Sequence, residues 1–165
     1  MFTQFSFTNN LSTERDISIT LQNISQICKE QTHPRFIELD LCDYHYSIEQ
    51  AIADLDLDKE LIEEFLDAYV MQIIEVIPQF EEYFEELRNN DHTMILFDYS
   101  YIRNLAHKNL GVARNLRIKD AEKLLNVIMR SENLEYLELC LEALELFAIR
   151  LRPQTVYDIK FNSSI

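Results

Sequence analysis

Glycine is almost missing from this chain: Gly111 is the only one in 165 residues, and there are three prolines. Tight hairpins, phosphate-cradling glycine loops and most all-β designs need more of both, so helices are what remains. The three cysteines, Cys28, Cys42 and Cys140, are widely spaced, with no CxxC pair and no neighbouring ligand cluster. That gives no metal pattern and leads us to expect reduced, buried thiols in a cytoplasmic protein. No apolar run approaches the ~18 residues that cross a bilayer, and no basic region with an apolar stretch behind it opens the chain. A soluble, unsecreted protein is therefore expected. Basic residues are scarce too, 15 against 29 acidic, for a net charge of −14. Such a balance argues against non-specific binding to nucleic acid or an anionic membrane and points to a protein partner.

What is present reads as one domain with extensions. Residues 1–46 are comparatively rich in Ser, Thr, Asn and Gln, with a single helical hint at Ile17, Leu21, Ile24 and Cys28, and form an N-terminal extension. Ser47 with Gln50 three residues on is a capping box opening a short helix that the acidic run Asp54 to Asp58 ends. From Lys59 to about Asn89 an apolar stripe of Leu61, Phe65, Ala68, Ile73, Ile77, Phe80, Phe84 and Leu87 predicts a long amphipathic helix, with a kink at Pro78. After a turn at Asn89, Asn90 and Asp91, Ile95, Tyr99, Ile102, Ala106, Ala113 and Leu116 mark a helix from about Thr93 to Leu116. Asp120 is expected to cap the next helix, and a last one runs from Leu134 to Arg150, stopped by Pro153. Four such helices joined by short polar turns bury their stripes against one another, which predicts an all-α, antiparallel four-helix bundle over residues 47–152. The tail, 153–165, alternates between Thr155 and Phe161 like a strand that would pair with Thr3 to Thr8.

Within the predicted Thr93–Leu116 helix, His107 falls off the apolar stripe and is expected to face solvent. Ser100, Arg103, Leu110, Gly111 and Arg114 stand at −7, −4, +3, +4 and +7 from it, the spacings that share a helix face. Gly111 costs about 1 kcal/mol relative to alanine in a helix interior. One explanation is close packing against a neighbouring helix; the other, which we favour, is room beside the imidazole for another molecule. From Tyr99 to Lys119 there is no acidic residue, whereas Arg103, Lys108, Arg114, Arg117 and Lys119 all occur there. A basic face around a histidine suits a phosphoryl group, or docking on a cluster of aspartates. His33, His45 and His92 have neither a glycine nor a basic face at helical spacing. The acidic pairs on the long helix lack the Glu-x-x-His partners of a di-iron site.

The segment from Leu105 to Leu116, LAHKNLGVARNL, resembles the signature of histidine-phosphotransfer (HPt) domains, commonly A-H-x-L-K-G-x-A-x-N-L-G. It matches at Ala106, His107, Gly111, Ala113, Asn115 and Leu116, and the order of elements over residues 47–152 is similar. Asn109 and Leu110 depart from it, standing where the family usually has leucine and lysine. The resemblance implies a monomeric phosphocarrier in which His107 takes a phosphoryl group from a receiver aspartyl-phosphate and passes it on. Its partners would be a response-regulator receiver domain or a hybrid sensor kinase. It also implies no cofactor of its own, Mg²⁺ being supplied by the receiver. Arg103, Lys108, Leu110, Gly111 and Arg114 are the residues expected at the phosphoryl or partner contact. The alternative is a phosphorylation-incompetent scaffold of the same shape that docks receivers or kinases.

Overall fold

The computed structural model describes residues 44–90 and 98–162, together with Gln22, Leu39 and Leu41. Among these residues the chain is all helical, with no strand: α1 (Ile48–Leu55), α2 (Lys59–Asn90), α3 (Ser100–Asn115), α4 (Lys119–Arg130), α5 (Leu134–Leu151) and α6 (Pro153–Asn162). Ser47 caps α1 by accepting from the Gln50 amide at 3.1 Å, while the Gln50 side chain turns to Asp54 instead of closing the box. Asp56, in the left-handed conformation, ends that helix. Asp58 opens α2 by accepting from the Leu61 amide at 2.9 Å, and α2 runs on through the exposed Pro78. Asn133 caps α5 by the same device, accepting from Tyr136.

α3 packs against α2 and α4, and α5 packs against α4 and α2. Hydrogen bonds from Gln72 to Asn109 and from Tyr101 to Gln79 run in opposite order along α2 and α3, so the two helices are antiparallel. The buried stripe of α2 comprises Ile62, Leu66, Tyr69, Val70, Ile73, Val76, Ile77, Phe80, Phe84 and Leu87. The expected stripe holds from Ile73 onward, but its first half is one residue out of phase: Phe65 is 42% exposed where Leu66 is fully buried. Two equally periodic apolar stripes exist in that half. The helices that pack on α2 there, including α1 and α6, decide between them.

Two further expectations are corrected. Residues 155–161 are not a strand but lie in α6, which Pro153 opens: its fixed φ suits the first helical turn, and Val156 is buried. Thr3 to Thr8, the proposed strand partner, and Thr93 to Ile95, expected in the histidine helix, lie outside the described residues; that helix opens at Ser100, after the non-helical Asp98 and Tyr99. Asp120 is not a cap. The cap position of α4 is Ile118, without a side-chain bond, and Asp120 is buried one residue inside the helix, its oxygens accepting from the Ala121 amide and from Arg150. Burial pushes the Asp120 carboxyl above its ordinary range. No described helix is long and apolar enough to cross a membrane.

Candidate phosphoacceptor site on α3

The C-terminal end of α3 is fixed in three ways. Arg117 adopts the left-handed conformation, φ 63°. Its amide bonds the Arg114 carbonyl at 3.1 Å and the Ile118 amide bonds the Ala113 carbonyl at 2.9 Å, the two bonds of a Schellman motif. Tyr46 then donates its hydroxyl to the Leu116 carbonyl at 2.9 Å, and Tyr44 donates to the Arg117 carbonyl at 3.2 Å. Burial lifts the Tyr46 hydroxyl to about 12, so it remains a donor at neutral pH. Residues just before α1 thus clamp the α3–α4 turn. Leu41 is also buried, and Lys123 donates to the Leu39 carbonyl at 2.6 Å.

The inner side of α3 buries Ile102, Ala106, Asn109, Leu110 and Ala113. Ser100, Arg103, Asn104, His107, Gly111 and Arg114 are exposed, and at about 100° per residue His107 sits near the middle of that outer face. No described residue lies within hydrogen-bonding or ion-pairing distance of its ring. A Cβ added to Gly111 would meet nothing within 4 Å, and the residue's φ is negative. Neither close packing within the described residues nor backbone conformation calls for glycine here. Its effect is an open surface one turn beyond His107.

Leu110 corrects the expected site. It is 2% exposed and does not share the open face. Three residues on from His107 is about 300°, or some 60° around the other way, and that flank is covered by the extensive packing of α3 on α4. A lysine at position 110 would likewise start from a buried position and not from the open face.

The two arginines are already engaged. Arg103 donates to Glu132 at 2.6 Å, with its guanidinium 5.9 Å from the Tyr99 ring centre, toward the N-terminal end of α3. Arg114 Nε donates to Glu122 at 3.0 Å. Both pairs are exposed, where such interactions contribute about 0–1 kcal/mol. Lys108 is exposed and in no ion pair among the described residues, but lies about 100° around the helix from His107.

Sequence reasoning missed Asn109. It is 1% exposed, accepts from Gln72 Nε2 at 2.7 Å and donates to the Leu105 carbonyl at 2.8 Å. A polar residue at an inward position is thereby satisfied across the α2–α3 contact. Its lone polar character amid Ile102, Ala106 and Ala113 was the available signal. Glu122 and Glu132 were missed as well, since pairing across a helix contact has no mark in local spacing. Of the other histidines, His45 is exposed beside a hollow of about 170 Å³ that Asp120 and Arg150 also line, and His33 and His92 lie outside the described residues. Among the described residues no group of three or more His, Cys, Asp and Glu side chains is placed to hold a metal ion. No protein-family model, no curated protein and no solved structure matches the chain.

Proposed function

We propose that the protein is an HPt-like phosphocarrier, with α2 to α5 forming its four-helix bundle and His107 its phosphoacceptor. The observation that carries this reading is the pairing of an exposed histidine, central on the outer face of a helix clamped at its C-terminal end, with a glycine one turn away that nothing among the described residues requires. Neutral imidazole is a competent nucleophile near pH 7. Its Nε2 attacks the phosphorus of a receiver aspartyl-phosphate in line; the Nε2–P bond forms, the acyl O–P bond breaks, and the aspartate leaves as carboxylate. Phosphoryl transfer depends on positioning and electrostatic stabilisation. The receiver brings Mg²⁺ and the acidic cluster, while this chain supplies the imidazole and its mount, a helix with no acidic residue of its own. Gly111 leaves the receiver room to approach the ring.

A second reading is favoured by a specific observation: Arg103 and Arg114 are held by carboxylates and Leu110 is buried, so neither arginine of the face stands free beside His107. Under that reading the same face docks receivers without being phosphorylated. Receiver domains phosphorylated with acetyl phosphate and Mg²⁺ separate the two. Transfer to this chain of a label that is acid-labile and alkali-stable, absent from His107→Gln, supports the carrier. Stable complex formation with no label transfer supports the scaffold.

A further inference from the structure

Resting on the reading of His107 as phosphoacceptor, we propose that Arg114 is the cation that stabilises the phosphoryl group, and that Glu122 holds it aside until the group arrives. Helical side chains lean toward the N-terminus of their helix, over the residues three and four before them. Released from Glu122, Arg114 would lean back along the outer face toward Gly111 and His107. The position it must pass over is Gly111, where not even a Cβ would meet another atom within 4 Å. No described atom stands in that path.

Arg103 differs, although it too is on the outer face. The same lean carries its guanidinium away from His107, to Glu132 and the Tyr99 ring. Both arginines are held by a carboxylate at the surface, but only Arg114 stands C-terminal to His107, where that lean, once Glu122 is displaced, carries a guanidinium toward the imidazole. The Glu122 side chain is 36% exposed, and a solvent-accessible pair of this kind is weak enough for a phosphoryl dianion to displace the carboxylate. Glu122 would act as a parking position, keeping the face nearly neutral until His107 is phosphorylated.

Phosphoramidate tests this without a partner protein. His107 Nε2 attacks its phosphorus, the Nε2–P bond forms, the P–N bond breaks, and ammonia leaves with the bonding pair while Nδ1 keeps its proton. The rate of phosphohistidine formation on the full chain is compared among wild type, Glu122→Gln, Arg114→Gln, the double variant and Glu132→Gln. Glu122→Gln should raise it about two- to fivefold, the range set by an exposed ion pair, and Arg114→Gln should lower it by a similar factor. In the Arg114→Gln background Glu122→Gln should have no effect, and Glu132→Gln alone should have none. Equal rates in wild type and Glu122→Gln, or a gain that persists without Arg114 or is matched by Glu132→Gln, would overturn the inference while leaving His107 as acceptor. No label on His107 in any of the proteins would overturn both.

Discussion

Arg152 grips Asp67 with two parallel hydrogen bonds, Nε to one carboxylate oxygen at 2.6 Å and Nη2 to the other at 3.1 Å. Thr155 adds a third, its hydroxyl donating to Asp67 at 2.6 Å. These bonds tie the start of α6 to the first half of α2, and they explain why residues after Pro153 fold back onto the core. The Arg152 hydrogen bonds hold the Asp67 carboxyl below its ordinary range. A carboxylate with a lowered folded-state pKa contributes stability that is full above its unfolded pKa and is lost as pH falls through the folded value. The loss should therefore begin below about pH 4 to 5. Asp67→Asn is expected to cost about 1 kcal/mol at pH 7, discounted because the side chain is more than a third exposed, and to flatten that acid limb. Urea unfolding at pH 7 and pH 3.5 measures both; an unchanged acid limb would show that charge on Asp67 does not hold α6.

Asn109 and Gln72 should respond asymmetrically. Gln72→Leu leaves the buried Asn109 oxygen without its donor and is expected to destabilise by about 1–3 kcal/mol, whereas Asn109→Leu removes the buried polar group and lets Gln72 turn to solvent, within about 1 kcal/mol of wild type. Denaturant midpoints of the two variants decide it. Equal losses would mean that the hydrogen bond is not what the position requires.

Leu110→Lys installs the residue usual at this position in HPt domains, and its outcome follows from burial. An ammonium on the flank covered by α4 must desolvate or push the helices apart, so a loss of at least about 2 kcal/mol is expected, with no gain in phosphoryl acceptance. A stable variant with faster labelling would show that position 110 reaches the outer face after all.

The contrast between His107 and Leu110 shows how far local spacing carries. His107 is flanked at a turn and at two turns by Ser100, Arg103, Gly111 and Arg114, all polar or small, so its exposure is legible from the periodicity of one helix. Leu110 is one turn away as well, but whether a residue 60° off the face is covered depends on which side the neighbouring helix leans, and no pattern within α3 records that. The same limit hides the Arg114–Glu122 and Arg103–Glu132 pairs and leaves the first half of α2 ambiguous between the phases of Phe65 and Leu66. In the tail, Thr155, Val156 and Tyr157 have real strand propensity; Pro153 at the first helical position and the Asp67 contacts override it.

Arg117 occupies a left-handed position that glycine normally fills at a helix end. Arg117→Gly relieves the steric cost of φ 63° but gives up the bond from its guanidinium to the Arg114 carbonyl. A net gain of about 0.5–1 kcal/mol is expected, read as a higher thermal midpoint with unchanged helical content. A lower midpoint would indicate that the side chain, not the turn geometry, holds the α3–α4 corner.

The claim on which the rest depends is that His107 is the nucleophile of this fold. Wild type and His107→Gln are treated with phosphoramidate at neutral pH, digested under alkaline conditions, and the phosphoryl group is located by tandem mass spectrometry. The account predicts one phosphoryl group, on the peptide containing His107, and none in the variant, whose circular dichroism and thermal midpoint should match wild type because the replaced side chain is exposed. A phosphoryl group on another residue, or equal labelling of the two proteins, would contradict it.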